Sequence, residues 1–456
     1  MRKLILFLLL TAFVLPLFPV KAQEMLPLAA SAVVLMEQST GRILYSYNAN
    51  ERRYPASTTK LLTALVVYQH LSLDTIVVVG GEIRNVPAGF TRAGHFEGET
   101  ITVEMLLHGL LIPSGNDSAM TLTMEVARVA ENRRNISYNE AQTIFSRIMN
   151  AYATALGATG SNFNNPYGLH NEAHFTTAHD MALIGRAFMQ NPTLVQISAT
   201  RTFANDSMGG INHPQAQIRN FTWTNTNLML PGAAHGHPYI TGGRTGFTTP
   251  AGHSFVAGAY RSGFQLIAVV LDSREPERWQ DTRILIDHGI FNFSFREIAF
   301  EGQLVYNAII ENPRLGDSET LHVLLQQGHT ALLSHAEYAE LERFFTFDPL
   351  LVVEHEGEYT LLRAPIEEFA PVGMVTFQVP SSGEVVFATP LIAARKVYER
   401  TFDSDMDYYI AMIRNSIFTR RALPYWVAFA GVLFGTGGII MAVVVSRRAR
   451  RLIRRR

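Results

Sequence analysis

Apolar residues recur with two different periods between residues 24 and 295. Short apolar runs at Ser31–Met36 and Arg42–Tyr47 flank a Ser-Thr-Gly turn and predict two strands. From Lys60 to His70 the apolar positions follow the helical spacing instead. Both patterns return further along the chain. They predict an α/β (α+β) domain with strands at both ends and helices between them.

More elements are expected in the same region. Helices are predicted at Val103–Ile112, Ser118–Val129 and Met181–Met189. A pair of strands is predicted at Phe255–Ala259 and Gln265–Leu271. Thr177, with Asp180 three residues later, has the spacing of a helix cap ahead of the third helix.

The pattern changes at about residue 298. Short β-rich runs then alternate with turn residues, at Leu321–Leu325, Leu350–Glu354, Tyr359–Arg363 and Val375–Val379. This alternating pattern predicts a second, smaller all-β domain at residues 298–393, after a first domain at 24–295. Residues 394–423 are expected to form a partly helical juxtamembrane segment.

The N-terminus has the pattern of a secretory signal at residues 1–22. Arg2 and Lys3 precede an apolar stretch at Leu4–Leu15, and Val20-Lys21-Ala22 offers a small-residue cleavage site. An uncleaved N-terminal anchor is the alternative, although the apolar stretch is short for a membrane span and two prolines follow it.

The C-terminus predicts a transmembrane helix at residues 425–445. This segment carries no charge, and at helical rise it reaches about 30 Å, the thickness of a bilayer core. Seven arginines follow within residues 446–456, which marks a cytoplasmic tail. The main body of the chain is therefore expected on the extracytoplasmic side of the cell membrane, as a single-pass protein. A buried core helix is the alternative that the flanking charge disfavours.

Charge and composition exclude several classes of function. The formal net charge is −1, so the body has no nucleic-acid footprint. The chain has no cysteine, which excludes disulfides, thiol catalysis and thiolate metal sites. After the first 22 residues it has two lysines, Lys60 and Lys396, while the other side-chain cations apart from histidine are arginines.

The retained Lys60 indicates a role that arginine cannot fill. Arginine stays protonated, whereas a buried lysine can lose its proton and act as a base. Ser57 stands three residues earlier, in Tyr54-Pro55-Ala56-Ser57-Thr58-Thr59-Lys60. Pro55 favours a helix start, which places both side chains on one helical face. Serine and lysine at this spacing are the minimum set for a serine nucleophile without histidine.

Two further segments carry polar groups suited to a cleft. Ser114-Gly115-Asn116 falls in the break between two predicted helices, where the alternative is a plain interhelical turn. The segment from Gly242 to Thr248 places Arg244 and Thr245 between glycines, which favours a strand whose backbone lies close to a ligand. An ordinary turn beside an edge strand is the alternative there.

The three segments together match the ordered pattern S-x-x-K, S-x-N and K-T-G. The chain resembles the low-molecular-mass penicillin-binding proteins that act as serine-type D-alanyl-D-alanine carboxypeptidases. Asn165-Pro166-Tyr167-Gly168-Leu169, Thr177-Ala178-His179-Asp180 and Val269-Val270-Leu271 extend the likeness over residues 26 to 293. The resemblance implies a catalytic domain of the penicillin-binding, β-lactamase transpeptidase-like fold, with no cofactor.

The resemblance also implies residue roles. Ser57 attacks the penultimate D-alanine of a peptidoglycan stem peptide, Lys60 takes its proton, and Ser114 relays a proton to the leaving D-alanine. Asn116 holds the substrate backbone. Thr245 and Arg244 grip the terminal carboxylate, and the backbone N–H groups of Ser57 and Phe247, beside Gly246, form the oxyanion hole. β-Lactams are the expected inhibitors, acylating the same serine.

One position departs from the family pattern. Arg244 stands where the family has lysine, at a site that needs a lasting charge facing a carboxylate. A guanidinium suits that role and, as a neighbouring cation, is expected to help burial lower the pKa of Lys60. The change puts substrate preference and β-lactam affinity in question more than the class of reaction.

Other readings of the sequence stay open. A β-lactamase needs a placed carboxylate for deacylation, but no convincing E-x-x-L-N segment lies between the second and third motifs. A non-catalytic cell-wall or β-lactam-binding module, an endopeptidase and a transpeptidase are further alternatives. His170-Asn171-Glu172-Ala173-His174 has histidines four residues apart, but it departs from the H-E-x-x-H zinc pattern. Solvated loop histidines and no metal are expected there.

Overall fold

The computed structural model describes residues 25–204, 221–356 and 359–417. The chain divides into two compact units, with the boundary between Ser294 and Phe295. The predicted signal segment at 1–22, the predicted span at 425–445 and the basic tail at 446–456 lie outside the described residues.

The first unit is built on a five-stranded antiparallel sheet. Its strands are β1 (Ala32–Glu37), β2 (Ile43–Tyr47), β7 (Ile240–Thr248), β8 (Gly252–Arg261) and β9 (Phe264–Ser273), in the order β2-β1-β9-β8-β7. Two strand pairs lie apart from it, β3 (Ile76–Val78) with β4 (Thr100–Thr102) and β5 (Thr202–Ala204) with β6 (Thr222–Thr224). Strands occur at both ends of the domain sequence, as predicted, and a single sheet joins them, with β7 as one of its edges.

Seven α-helices accompany this sheet in the described residues. They are α1 (Lys60–His70), α2 (Val103–Leu111), α3 (Asn116–Ala130), α4 (Tyr138–Ala155), α5 (Ala178–Met189), α6 (Pro192–Ala199) and α7 (Glu277–Asn292). Short 3-10 turns occupy Ala56–Thr59 and Gly81–Asn85. The predicted helices at α1, α2, α3 and α5 are confirmed, and Thr177 caps α5 by accepting a bond from the Asp180 N–H at 3.0 Å.

Helix α1 lies in the centre of the first unit. Leu61, Leu62, Ala64 and Val66 are fully inaccessible to solvent and belong to one large apolar cluster. A helix that is apolar on all sides must be covered on all sides. Its N-terminus is therefore held rigidly where the sheet edge meets the helices.

The second unit has a seven-stranded mixed sheet. Its strands are β11 (Leu304–Glu311), β12 (Thr320–Leu325), β14 (Glu342–Phe347), β15 (Val352–Glu356), β16 (Tyr359–Arg363), β17 (Pro371–Val379) and β18 (Glu384–Ala393), in the order β14-β17-β18-β12-β11-β16-β15. A two-stranded sheet pairs β10 (Phe293–Ala299) with β13 (His329–Ser334). The strands expected from the alternating runs are present.

Among its described residues this unit also has two helices, α8 (His335–Glu340) and α9 (Phe402–Ile417). The prediction of an all-β domain was wrong for α8, because Ser334 and Glu337 form a capping box that starts a helix between two strands. No helix in the described ranges combines the length and apolar character needed to cross a membrane.

Candidate active site

Ser57 and Lys60 are brought together by the start of α1. Ser57 lies in the 3-10 turn that leads into the helix, and Lys60 is the first residue of α1 itself. One turn therefore separates them, and the Lys60 Nζ atom lies 2.9 Å from the Ser57 Oγ atom. The spacing of the two residues in the sequence has become a direct contact.

The Lys60 amine has two other partners, both of which accept hydrogen bonds. Its Nζ atom donates to the Asn116 Oδ1 atom at 2.7 Å and to the Tyr167 backbone carbonyl at 2.9 Å. A neutral amine has two N–H bonds and one lone pair. When the two N–H bonds point at these two acceptors, the lone pair faces the Ser57 hydroxyl. An uncharged Lys60 can therefore bond both acceptors and still take the Ser57 proton.

The surroundings also disfavour the charged form of Lys60. The side chain is completely buried, and this burial holds the pKa of the amine well below its usual range. The Arg244 cation lowers this pKa further, while Asp117 acts in the opposite direction. The predicted effect of Arg244 on the Lys60 pKa is confirmed, although burial is the larger cause.

The backbone around the nucleophile is strained and closely packed. Ala56, immediately before Ser57, has a φ of +47°, a conformation that non-glycine residues rarely adopt. Gly168 lies so close that a Cβ atom there would overlap the Ala56 carbonyl group. A Cβ at Gly246 would lie 3.0 Å from the Ser57 backbone nitrogen. Two glycines from distant parts of the chain thus hold the turn in place.

The second motif lies at the start of α3. Ser114 has a φ of +70°, and its carbonyl accepts a bond from the Thr91 hydroxyl at 2.7 Å. Asn116 is the first residue of α3, and its side chain binds Lys60. Asp117 is fully buried, and its carboxylate accepts backbone N–H bonds from residues 93, 94 and 95 at 2.8–2.9 Å. These bonds fix the segment that borders the cleft on this side.

The third motif lies on the edge strand β7. The Arg244 side chain is 1% exposed, and its Nη1 atom donates to the Leu111 carbonyl at 2.7 Å and to the Thr226 hydroxyl at 3.2 Å. Its Nε and Nη2 atoms are buried without a hydrogen-bond partner among the described residues. Burial and the nearby Arg278 cation lower the pKa of Arg244 to about 9, so the guanidinium still carries its charge at neutral pH.

A cleft of 570 Å³ brings the three motifs to one place. Its walls include all the predicted site residues except Lys60, namely Ser57, Ser114, Asn116, Arg244, Thr245, Gly246 and Phe247. Lys60 lies beneath the wall and reaches the cleft through its contact with Ser57.

Several contributions to the cleft were not predicted from the sequence. Tyr167 contributes its backbone carbonyl to Lys60, and a backbone group leaves no side-chain signal in a sequence. Thr226 joins Arg244 to Thr245, because the two threonine Oγ1 atoms lie 2.8 Å apart. Arg278 lines the cleft and stacks on Trp279, with its Cζ atom 4.2 Å from the ring centroid. Neither Thr226 nor Arg278 belongs to one of the three sequence motifs.

The prediction that the two histidines are solvated is correct for His170 and wrong for His174. His170 is exposed and lines the cleft, but His174 is 1% exposed. Its Nδ1 atom accepts from the Asn164 N–H at 3.1 Å, and its Nε2 atom lies 2.9 Å from the Thr59 hydroxyl. Burial is the larger cause and the nearby His170 the smaller cause that lower the pKa of His174 to about 3, so the ring is neutral. His174 therefore supports the nucleophile turn, and the described residues contain no metal-binding cluster.

Comparison with known proteins identifies the family. A model of the D-alanyl-D-alanine carboxypeptidase family matches residues 19–275, more than half of the chain. The D-alanyl-D-alanine carboxypeptidase DacF of Bacillus subtilis is 25% identical over 377 residues, covering 78% of this chain and 90% of that protein. DacC of Escherichia coli, described in the same words, is 28% identical over 388 residues, with 82% and 85% covered.

Solved structures share the fold. The D-alanyl-D-alanine carboxypeptidase DacD of Francisella tularensis superimposes with a TM-score of 0.62 at 22% identity, covering 83% of this chain and 96% of that one. Penicillin binding protein 6B of Escherichia coli gives a TM-score of 0.57 at 24% identity, with 83% and 98% covered. The family match, the relatives and the serine–lysine geometry agree, and the chain belongs to the D-alanyl-D-alanine carboxypeptidase family of serine peptidases.

Proposed function

We propose that Ser57 attacks the carbonyl carbon of the penultimate D-alanine in a peptidoglycan stem peptide. The Ser57 hydroxyl proton passes to the Lys60 amine as the Oγ–C bond forms. The Lys60 proton then moves to the leaving nitrogen, the C–N bond breaks, and D-alanine departs. An acyl-enzyme on Ser57 remains, and a water molecule hydrolyses it.

The observation that carries this proposal is the partner set of Lys60. Two acceptors, Asn116 Oδ1 and the Tyr167 carbonyl, occupy both hydrogens of a neutral amine and leave its lone pair for Ser57. Burial and Arg244 lower the Lys60 pKa, which favours the neutral form that a general base requires. A serine peptidase without histidine needs such a base.

The rest of the cleft supports the leaving-group and binding roles. Ser114 lines the cleft and is proposed to relay the proton from Lys60 to the leaving D-alanine. The Nε and Nη2 atoms of Arg244 have no partner among the described residues, which suits a cation that receives the substrate carboxylate together with Thr245. Asn116 is proposed to contact the substrate backbone in addition to holding Lys60.

The oxyanion hole is assigned to two backbone N–H groups, those of Ser57 and Phe247. Gly246 packs directly against the Ser57 nitrogen, so the strand and the nucleophile turn approach closely at this point. Removing one such donor typically costs about a hundredfold or more in rate. β-Lactams are proposed to acylate Ser57 by presenting their ring carbonyl to the same two groups.

We further propose that the enzyme works outside the cytoplasm, held by its C-terminus. The signal pattern at residues 1–22, the uncharged segment at 425–445 and the arginine tail at 446–456 support this placement. Protease added to intact spheroplasts tests this placement. The catalytic unit should be digested, while the arginine tail should stay protected. Digestion only after cell lysis would contradict it.

Mass spectrometry of the purified protein after exposure to benzylpenicillin tests the catalytic assignment. The penicilloyl mass is expected on the peptide that contains Ser57, and the Ser57→Ala variant should acquire none. Release of D-alanine from a stem pentapeptide by the unmodified enzyme should accompany it. An adduct at another residue would overturn the assignment, and rapid turnover of benzylpenicillin would favour the β-lactamase alternative.

A further inference from the structure

A second cavity of 440 Å³ adjoins the catalytic cleft in the same unit. Pro250 lines both cavities. Tyr54, which lines the second cavity, makes an edge-on contact with His170, which lines the first, at a ring separation of 4.6 Å. Tyr54 stands three residues before Ser57. We call this second cavity the outer pocket.

The proposed roles along β7 give the direction in which a substrate leaves the cleft. Thr245 receives the terminal carboxylate of the substrate and Phe247 stabilises the attacked carbonyl. The substrate's more N-terminal residues therefore lie beside β7 residues of higher number. The next positions are Thr248, Thr249 and Pro250, which line the cleft up to the border of the outer pocket. The substrate residue before the attacked D-alanine is therefore directed towards the outer pocket.

Distance permits the contact. The Cα atom of that substrate residue is about 3.8 Å from the Cα of the attacked D-alanine, and a long side chain adds several ångström. A long side chain at this position that ends in charged groups extends beyond the cleft. Its end can pass Pro250 and enter the outer pocket.

The charges in the outer pocket divide into two sets. Arg53 already has anionic partners, with its Nη2 atom 2.7 Å from the Glu51 carboxylate and its Nε atom 3.7 Å from that of Asp272. Arg52 and Glu172 are different, because both are exposed and neither forms an ion pair with a described side chain. One cation and one anion thus line the same cavity without neutralising each other.

Arg52 is nevertheless held in place. Its guanidinium carbon lies 4.2 Å from the centre of the Phe175 ring, a cation–π contact that positions the planar group on the pocket wall. A guanidinium fixed in this way suits bidentate binding of a carboxylate. Glu172 on the same cavity suits an ammonium. A ligand that matches Arg52 and Glu172 together carries a carboxylate and an ammonium.

We propose that the outer pocket binds the zwitterionic end of a diamino-diacid side chain in the stem peptide, with its carboxylate on Arg52 and its ammonium on Glu172. This inference rests on the proposed peptidase function and names the substrate class within it. The enzyme then favours stem peptides whose third residue is 2,6-diaminopimelate over those with lysine, which lacks the side-chain carboxylate.

Three acylated tripeptides ending in D-Ala-D-Ala test the proposal on the purified full-length protein. Their first residue is 2,6-diaminopimelate, its side-chain carboxamide derivative or lysine, and N-acetyl-D-Ala-D-Ala is the reference substrate. The diaminopimelyl peptide should have a kcat/KM about tenfold or more above the other two, the size expected for one charge-assisted hydrogen bond. Equal values for the three peptides would overturn the proposal.

Variants then assign the charges. Arg52→Gln should remove the preference for diaminopimelate over its carboxamide, whereas Glu172→Gln should lower kcat/KM for the diaminopimelyl and lysyl peptides together, each relative to the reference. Arg134→Gln, at an exposed arginine remote from the pocket in sequence, is the control for losing a surface charge. A loss shared equally by all substrates in Arg52→Gln would refute the outer-pocket assignment. Benzylpenicillin acylation of Ser57 reports separately on the peptidase function.

Discussion

Lys60 and Asn116 form a 2.7 Å hydrogen bond that links the first and second motifs of the active site. The bond joins the start of α1 to the start of α3, two helix termini that meet at the cleft. It sets the orientation of the Lys60 amine, because the Asn116 oxygen accepts one of the two hydrogens of its neutral form. Asn116 therefore orients the Lys60 amine, a role beyond the substrate contact that the sequence suggests.

Replacing Asn116 by aspartate should change the pH dependence of acylation. A carboxylate beside Lys60 favours the ammonium form and raises its pKa. A base acts only when deprotonated, so the acylation rate rises with pH up to the Lys60 pKa, and Asn116→Asp should move this rise to higher pH. At a fixed pH below the rise, the acylation rate should fall about tenfold for every pH unit by which the profile moves. Stopped-flow acylation by a chromogenic β-lactam across pH measures it.

Asn116→Ala is the matched control for that experiment. It removes the acceptor without adding a charge, so it should slow acylation with a smaller displacement of the pH profile. If Asn116→Asp and the unmodified enzyme had the same profile, Lys60 would not be the group that titrates.

Arg244 should tolerate lysine but not a neutral side chain. Arg244→Lys keeps a cation near the substrate carboxylate, and we expect it to retain both acylation and D-alanine release. Arg244→Gln loses the cation, and loss of a buried charged partner costs about 3 kcal/mol, or roughly a hundredfold in kcat/KM for a peptide substrate. Steady-state release of D-alanine from a pentapeptide measures both variants. Equal activity of the glutamine variant would show that another group binds the carboxylate.

Gly168→Ala should disable the nucleophile turn. Gly168 has a φ of +82°, and a Cβ atom there would overlap the Ala56 carbonyl beside Ser57. Gly263 is a matched control, since its φ is +86° but no atom lies within 4 Å of its Cβ position. Both variants pay about 1–2 kcal/mol for the left-handed conformation. Only Gly168→Ala should lose penicillin acylation, and comparable labelling of the two proteins would contradict the packing argument.

Asp117→Asn should destabilise the catalytic unit. The buried Asp117 carboxylate accepts four backbone N–H bonds, from residues 93, 94, 95 and 118, and an amide of the same size presents an NH₂ group to some of these donors. We expect a loss of about 2–4 kcal/mol in the free energy of unfolding. Urea unfolding followed by tryptophan fluorescence measures it. The exposed Asp74, changed to asparagine, is the control, and an equal effect at the two positions would refute this role.

Local signals in the sequence predicted the parts of the site that neighbouring residues determine. The three-residue spacing of Ser57 and Lys60 becomes a contact because one helical turn joins them. Helix α4 was not among the predicted elements, although its signal is present. Ser137 and Glu140 have the spacing of an N-terminal cap, and the Ser137 hydroxyl does accept from the Glu140 N–H at 3.3 Å.

Long-range relationships could not be read from the sequence in the same way. The Tyr167 carbonyl reaches Lys60 across 107 residues, and it is a backbone group that every residue has. The burial of His174 follows from its packing near the nucleophile turn, whereas the three residues before it, Asn171 to Ala173, are exposed. Such features depend on which segments the sheet and helices bring together.

The substitution of Lys60 by arginine tests the central claim most directly. The control is Lys396→Arg, at an exposed lysine paired with Glu367. Thermal unfolding establishes that each variant is folded, and Lys60→Met serves as the second variant if the larger arginine does not fit. With labelled penicillin, we predict that Lys396→Arg acylates Ser57 at the normal rate while neither Lys60 variant forms the labelled adduct. Rapid labelling of Ser57 in a folded Lys60 variant would contradict the assignment of this amine as the base.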